Sequence, residues 1–376
     1  MSGSLRILHL IPTLAGGGAE RQLCYISGEL VKMGHEIHVG FFQPGANLDR
    51  LVAGGAVAHR LPVAANHDPR LLGRVSSLVK SVRPQIVQTW LLQMDVLGGL
   101  ALLGKRTPWV LSERASGPAY PRGIKTGLRK LLARRVSAVV SNSQTGDAYW
   151  NGCLPASIPR RVIRNGLPVG EIDAIAPARK KNPNGPKRIL FAGRLCEQRN
   201  LKNLVPALGL VLRQENAEVA LCGVGPLKND VETWLNEAGI SGRVSRPGYL
   251  PEHELWAQMK SADVFVSVSH FEGQPNAVME AMACKCPLVL SDIPEHRECG
   301  SALAPMANPD SRDEIAAALL NVLRDPAAAK IRAEAAYAAA LRHSTAQAAR
   351  EYEELYRALL LPGRENPACE KTVVKK

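Results

Sequence analysis

The sequence predicts an α/β protein built from two doubly wound parallel sheets. The first observation is length, because 376 residues exceed one typical core and suit two domains. The second is that short apolar runs alternate with helical patterns, which is typical of parallel βαβ units. The third is that several of these runs end in glycine-containing turns, and ligands of such sheets bind at the carboxyl ends of strands. We therefore expect functional residues in the loops that follow strands.

Composition narrows the possible partners. Apolar residues make up 46% and charged residues 22% of the chain, as in ordinary folded proteins. The formal net charge of +13 leaves an anionic membrane, a polyanionic substrate and nucleic acid open. Few aromatic residues accompany the basic segments and no reader motif occurs, so we expect no nucleic-acid binding. The eight cysteines lack the spacing of a zinc site, and we expect neither metal nor cofactor.

Neither a secretion signal nor a membrane span is expected. Residues 5–14 form a short apolar run that leads into glycines, which is unlike a signal h-region. No stretch reaches about 18 uninterrupted apolar residues. We expect a cytoplasmic protein, with a peripheral position on the inner face of the cell membrane as the open alternative.

The first strand is followed by three glycines. Residues 5–11 predict a strand, residues 16–18 a loop, and the pattern from 20 to 34 a helix. Gly17 and Gly18 would let the backbone approach an anion at the positive end of that helix. A plain βα turn explains the same glycines, so both interpretations stay open on this loop alone. His9 lies inside the strand pattern and is predicted to be a core residue.

Acidic residues follow two further strands of the first half. Strands are predicted at 36–42, 86–89, 109–112 and 138–141, with helices between them. Asp95 comes after the run that ends at Trp90, and Glu113 directly follows Ser112. Each carboxylate could contact a ligand hydroxyl or stabilise the N-terminus of the next helix, and the second role is the commoner one.

Residues 120–164 are strongly basic, with nine Lys or Arg and one acidic residue. Within 122–135 the apolar residues recur at helical spacing, and basic residues occupy the other faces. Such a helix can lie on an anionic membrane surface. A core helix with a solvated basic face is the alternative. The apolar set is Ile124, Leu128, Leu131 and Leu132, and the basic set is Arg122, Lys125, Arg129, Lys130 and Arg134.

We place the domain boundary near residue 172, before the polar, proline-containing run 176–187. The second domain, 173–345, opens with a strand that ends in Gly193-Arg194-Leu195. Arg199 and a helix from 201 to about 214 follow, and further strands are predicted to begin at 218 and to span 262–269 and 287–291. Two arginines at a strand exit suit either a phosphate or surface ion pairs. The last helix is expected at 346–362 and a disordered tail at 363–376.

The most informative stretch is 267–283, a strand end, a tight loop and a helix start. Pro275 suits the first turn of a helix, so Glu272 lies in the loop. The amides of Asn276, Ala277 and Val278 then belong to the unpaired N–H groups at the positive helix end, which form an anion site. Glu272 and Glu280 flank that site. Carboxylates accept hydrogen bonds from sugar hydroxyls, and backbone amides donate them to phosphate oxygens, so a nucleotide sugar fits, although acidic residues near a helix start are common.

Glu272 and Glu280 form Glu-x₇-Glu within Phe-Glu-Gly-Gln-Pro-Asn-Ala-Val-Met-Glu, which closely resembles the signature of retaining GT-B glycosyltransferases of family 4. Gly17-Gly18-Ala-Glu resembles the Gly-Gly-x-Glu loop of that family, and Gly-Arg194-Leu its diphosphate-binding strand end. Relatives carry Lys where this chain has Arg199, so the charge is kept with a different geometry. Many also carry a His in the loop where this chain has Trp90-Leu-Leu-Gln-Met-Asp95.

The resemblance implies a GT-B fold of two Rossmann-like doubly wound domains facing a cleft, with a C-terminal helix crossing back to the first domain. The first domain would bind the acceptor and the second the nucleotide sugar. It also implies retaining, metal-independent transfer of a sugar from a nucleoside diphosphate sugar, in first place a UDP-sugar. The acceptor would be a hydroxyl of a lipid-linked or polysaccharide molecule in cell-envelope glycan synthesis. A nucleotide-sugar epimerase and a transferase with a soluble acceptor are the alternatives.

The resemblance also assigns roles to single residues. Glu272 would be catalytic, holding the donor sugar and stabilising positive charge at its ring, and Glu280 would bind the ribose. The diphosphate would be bound by Arg194, Arg199, the amides of Asn276 and Ala277, and the Gly17-Gly18 loop. Asp95 and Glu113 are the candidates on the acceptor side.

Overall fold

The computed structural model describes residues 3–62, 68, 70–115, 117–120, 123–180, 182 and 184–361. The chain divides into two units, of which the first contains residues up to Gly166 and from Thr345 onward. The second unit is Leu167–Ser344. The change of unit thus falls after 166, where the sequence interpretation placed it near 172. The predicted tail, 363–376, lies outside the described residues.

The first unit has one parallel sheet, which contains seven strands among the described residues. The strands are β1 Arg6–Leu10, β2 Glu36–Phe41, β3 Val57–Arg60, β4 Ile86–Trp90, β5 Trp109–Glu113, β6 Ala138–Ser141 and β7 Arg160–Val162. Their order across the sheet is β3-β2-β1-β4-β5-β6-β7. The chain therefore leaves β1 toward one edge and returns at β4 to build the other half, as a doubly wound sheet does.

Helices cover both faces of this sheet. They are α1 Gly18–Lys32, α2 Leu48–Ala53, α3 Arg70–Val82, α4 Leu91–Ala101, α5 Ile124–Ala133, α6 Gln144–Ala148 and, after the second unit, α15 Thr345–Leu359. Neighbouring strand residues point to opposite faces, so Ile7 packs in the cluster that includes α1 and α15, and Leu8 in the one that includes α3 and α4. The last helix thus belongs to the first unit, which confirms the expected return.

The second unit repeats this plan with a sheet of order β10-β9-β8-β11-β12-β13 within the described residues. Its strands are β8 Lys187–Ala192, β9 Ala217–Cys222, β10 Val244–Gly248, β11 Val264–Ser267, β12 Leu288–Ser291 and β13 Met306–Ala307. Its helices are α7 Val169–Ala174, α8 Leu201–Gln214, α9 Lys228–Glu237, α10 Glu252–Ser261, α11 Asn276–Ala283, α12 Pro294–Gly300, α13 Arg312–Arg324 and α14 Pro326–Ala340. Because β8 and β11 lead to opposite edges, a crevice forms where their carboxyl ends meet.

The loops after β8 and β9 are joined through their backbones. The amide of Gly193 donates to the carbonyl of Cys222 at 3.0 Å, and that of Leu195 donates to Val224 at 3.0 Å. Gly223 has φ +142°, and a Cβ built on it would lie 1.9 Å from the carbonyl oxygen of Gly193. Only glycine fits this close approach of two backbones, which places the loop that carries Arg194 and Arg199.

We expect Gly223→Ala to lower the free energy of unfolding of the second unit by at least about 2 kcal/mol, since the methyl group must displace backbone. Chemical denaturation of purified protein measures the loss. Gly170→Ala is the matched control, because a Cβ at Gly170 meets nothing within 4 Å. Equal stability of the two variants would contradict the prediction.

Candidate functional site

The loops that follow β8 and β11 hold each other at the carboxyl edge of the second sheet. The amide of His270 donates to the carbonyl of Gln198 at 3.0 Å, and the Gln198 side-chain amide donates to Phe271 O at 2.8 Å. Asn200, in the left-handed conformation with φ 56°, donates to Val268 O at 3.1 Å. These bonds fix the loop 268–275 against the turn 197–200. They thus bring together the two segments that were predicted to bind the nucleotide sugar.

Glu272 is the centre of this arrangement. Its carboxylate is 4% exposed, forms an ion pair with Nη1 of Arg199, and accepts from Ser269 Oγ at 2.9 Å. Arg199 Nη1 also donates to Ser269 Oγ at 3.3 Å. Because an unpaired buried carboxylate would cost several kcal/mol, the arginine and the serine keep this one charged and fixed in position. Residues 70 to 73 positions apart in sequence thus form one cluster.

Arg199 keeps donors beyond those that Glu272 uses. Its side chain is 24% exposed, and its buried Nε has no hydrogen-bond partner among the described residues. Burial lowers the pKa of Arg199 from its ordinary value, but a guanidinium remains charged near neutral pH. Arg194 is exposed at the start of the same loop, two residues after β8 ends. The edge therefore presents two cations beside a buried carboxylate, which suits a ligand that carries both hydroxyls and phosphate.

Helix α11 begins at this loop with one difference from the expectation. Pro275 precedes the helix as its N-cap, because its ψ of 83° is not helical, and its carbonyl accepts the amide of Met279 at 3.1 Å. Asn276 and Ala277 therefore start the helix, and their amides lie in the turn where the helix itself supplies no acceptors. Glu280 lies one turn further along α11 and is buried. The predicted diphosphate and ribose contacts of these residues stay predictions.

In the first unit, the side chain of Glu20 partly occupies the glycine loop that was predicted to bind an anion. Gly17 is the N-cap of α1, and a Cβ on Gly17 would lie 2.3 Å from a carboxylate oxygen of Glu20. Burial raises the pKa of Glu20. A phosphate approaching Gly17 and Gly18 would meet this carboxylate, so its binding there requires Glu20 to turn away. A side chain at position 17 would likewise require Glu20 to turn away, because any residue can adopt the Gly17 φ of −76° and the contact is with the end of the Glu20 side chain.

Asp95 and Glu113 form a fully buried cluster with one arginine. Arg129 binds Asp95 at 2.7 Å and Glu113 at 2.9 Å, and all three side chains have no exposed area. Thr89 Oγ1 donates to Asp95 at 2.6 Å, and Tyr120 donates to Glu113. With both carboxylates bound by Arg129, neither can reach an acceptor hydroxyl without breaking the cluster. Their geometry favours a structural role over the predicted acceptor contact.

The buried cluster also changes the interpretation of helix α5, because one of its basic residues is not on the surface. Arg129, placed on its solvated basic face, lies in the core, where it also stacks on the rings of Tyr120 at 4.6 Å and Trp150 at 4.9 Å. Leu132 is buried in the adjoining apolar cluster. Ile124 and Leu131, in contrast, are 90% and 62% exposed. Arg122 lies outside the described residues.

Trp90 begins the loop in which many relatives carry a His, and it forms a buried pair with His9. The Trp90 indole donates to His9 Nδ1 at 3.2 Å, and the Arg114 guanidinium lies 4.7 Å from the Trp90 ring. Burial lowers the pKa of His9 to about 3, so its imidazole is neutral. His9 is a core residue, as predicted.

The described residues contain neither a metal-binding cluster nor a membrane-spanning helix. They contain no group of three or more His, Cys, Asp or Glu side chains that could hold a metal ion. In the part of the chain that the structure describes, every helix is too short or too polar to cross a membrane.

Sequence reasoning missed the residues that hold Glu272. Ser269, Asn200, Ser291 and His296 are all buried around the loop, and none was singled out. Ser269 lies inside the stretch 267–283, so its position three residues before Glu272 was the available signal. Ser291 and His296 carried no signal, because only the pairing of β11 with β12 brings them close.

Comparisons with known proteins identify the family of this chain. The family model for Glycosyltransferase Family 4 matches residues 16–171, and that for Glycosyl transferases group 1 matches residues 174–342. A glycogen synthase of Mycobacterium tuberculosis is 33% identical over 246 residues, which is 62% of this chain and 55% of that protein. A protein of Salmonella typhimurium named as the colanic acid biosynthesis glycosyltransferase WcaL is 30% identical over 173 residues, 43% of this chain and 41% of its own.

Solved structures share the fold. Anabaena HepE, solved in complex with UDP and glucose, superposes with a TM-score of 0.82 at 19% identity, over 94% of this chain and all 100% of its own. The curated relatives named above are matched over less than two thirds of their own length. The two family models nevertheless match residues 16–171 and 174–342, which together are most of the chain. The chain therefore belongs to glycosyltransferase family 4, the glycosyl transferases group 1, and has the GT-B fold.

Proposed function

We propose that the protein is a retaining glycosyltransferase. It transfers a sugar from a nucleoside diphosphate sugar, in first place a UDP-sugar, to a hydroxyl of a lipid-linked or polysaccharide acceptor in cell-envelope glycan synthesis. The observation that carries the proposal is the buried Glu272, held by Arg199 and Ser269 next to the start of α11. HepE was solved with UDP and glucose, which supports a UDP-sugar as the donor. WcaL is named for colanic acid biosynthesis, which supports a glycan acceptor.

Each group has a defined task in this reaction. As the bond between sugar and diphosphate breaks, negative charge grows on the leaving phosphate and positive charge on the sugar ring. Arg194, Arg199 and the first amides of α11 stabilise the phosphate, and Glu272 stabilises the ring and binds sugar hydroxyls. Glu280 binds the ribose. None of these steps requires a covalent enzyme intermediate or a metal ion.

The test is turnover by purified protein across UDP-, GDP- and ADP-sugars, with and without membrane lipid extract. Release of one nucleoside diphosphate together with a glycosylated product establishes the transferase and identifies its donor. The anomeric configuration of the product, read by NMR, establishes retention. Isomerisation of one donor without an acceptor would replace the proposal with an epimerase, and transfer to a soluble molecule alone would remove the lipid-linked acceptor.

We further propose that α5 contacts an anionic membrane surface through residues 122–135. Ile124 and Leu131 extend into solvent from one face of the helix, and the charges of Lys125 and Arg134 lie on exposed positions beside them. A helix binds at a membrane interface by inserting apolar side chains and by attracting anionic headgroups with its cations.

Replacing Ile124 and Leu131 together by Glu is expected to weaken binding to vesicles of phosphatidylglycerol and phosphatidylcholine by at least about tenfold, since each leucine-sized side chain buries several CH₂ groups. Vesicle cosedimentation measures it. The matched control is Ile331→Glu, because Ile331 is 72% exposed on α14 of the second unit. Equal binding by the double variant and the control would contradict the membrane contact.

A further inference from the structure

A chain of buried hydrogen bonds leads from Glu272 to a histidine on a different element. Ser269 Oγ donates to Glu272 at 2.9 Å, and the carbonyl oxygen of Ser269 accepts from Ser291 Oγ at 2.7 Å. Ser291, the last residue of β12, in turn contacts Nδ1 of His296 at 3.0 Å through its Oγ. His296 lies on α12 and is fully buried.

These bonds determine which nitrogen of His296 carries the proton. Nδ1 also lies 3.0 Å from the carbonyl oxygen of Ser291, and a carbonyl can only accept, so Nδ1 is the donor. The Ser291 hydroxyl gives its own proton to Ser269 and is therefore free to accept from Nδ1. Nε2 has no partner among the described residues. Burial lowers the pKa of His296 to about 4, so the ring is neutral and acts through Nδ1 alone.

We propose that His296 is a positioning residue of the glycosyl transfer reaction, acting on Glu272 through Ser291 and Ser269. The Nδ1–H bond orients the Ser291 hydroxyl, that hydroxyl fixes the backbone of Ser269, and Ser269 fixes the catalytic carboxylate. Arg199 holds the same carboxylate from the opposite segment. This inference rests on the proposed function, because Glu272 must act on a donor sugar for its position to affect turnover.

Three replacements separate this role from simple packing. Asn places an N–H donor near the position of Nδ1, Gln places one near Nε2, and Leu supplies none. We expect His296→Leu and His296→Gln to lower kcat by about tenfold to a hundredfold, the range that a small misplacement of a reacting group costs. His296→Asn is expected to keep kcat within about threefold of wild type. His253→Leu, on the exposed surface of α10, is the matched control.

A double-mutant cycle tests the route through Ser291. If His296 acts by this route, His296→Leu in a Ser291→Ala background lowers kcat no further than Ser291→Ala alone. Equal kcat for the Asn and Gln variants, or additive losses in the cycle, would overturn the inference even if the leucine variant folds poorly. A wild-type protein that transfers no sugar from any donor would overturn the proposed function itself, and with it the inference.

Discussion

Replacing Glu272 by Gln is expected to lower kcat for sugar transfer by at least about a hundredfold. Glutamine keeps the size of the side chain and can still accept from Ser269, but it removes the charge that stabilises the sugar ring as it becomes positive. Removal of one electrostatic group that acts mainly in the transition state typically costs about 10² to 10³ in kcat. Steady-state kinetics with the donor that the turnover assay selects measure the loss.

Separate values of kcat and KM decide how Glu272 acts. A large loss in kcat with little change in donor KM indicates a group that acts mainly in the transition state. Glu237→Gln is the matched control, because Glu237 is exposed at the end of α9 in the same unit, and it should leave kcat unchanged. If Glu272→Gln retained wild-type kcat, the assignment of the catalytic carboxylate would be wrong.

Replacing Arg129 by Leu is expected to destabilise the first unit by about 3 to 5 kcal/mol. The substitution leaves Asp95 and Glu113 in the core without the cation that both contact, and breaking a buried ion pair from one side costs about that amount. Urea denaturation and the thermal midpoint measure it. Arg135→Leu, an exposed position just after α5, should change stability by less than about 0.5 kcal/mol.

A triple variant tests the cause of this loss. If uncompensated carboxylates are responsible, adding Asp95→Asn and Glu113→Gln to Arg129→Leu restores part of the stability. A triple variant that is less stable than Arg129→Leu would show that packing of the arginine, and not its charge, is what matters.

The loss in the Arg129→Leu variant should also depend on pH. Burial raises the pKa of Asp95 to about 6, although Arg129 and Thr89 oppose the shift. Removing Arg129 takes away the positive charge that opposes the shift and raises that pKa further. A carboxyl group with a raised pKa in the folded state binds more protons there than in the unfolded chain, so stability falls as pH rises. The variant should therefore lose more stability relative to wild type at pH 8 than at pH 5.

The candidate site was predictable where its residues are close in sequence. Glu272, the start of α11 and Glu280 lie within nine positions, and spacing along one loop and helix places them. The direct contact of Glu272 with Arg199 was not predictable, because it depends on β8 lying next to β11 in the sheet. The same holds for Arg129. Its sequence neighbours suggest a solvated face, and only the packing of α4 against both α5 and β5 brings Asp95 and Glu113 to it.

The strands also divide into those that the sequence predicted and those that it did not. The apolar runs of the central strands sufficed to predict them, since a strand buried on both faces is mostly apolar. The four strands that went unpredicted, β3, β7, β10 and β13, are the edges of the two sheets. Edge strands are half exposed and short, so their composition resembles that of loops.

The sequence by itself thus determined the α/β class, the two-domain organisation, the central strands and the spacing of the Glu-x₇-Glu motif, because each of these depends on local periodicity or on neighbours along the chain. Only the tertiary structure decided which polar residues are catalytic candidates and which are structural. Burial and pairing are set by distant segments: Arg199 meets Glu272 across 73 positions, and Arg129 removes Asp95 and Glu113 from contact with solvent.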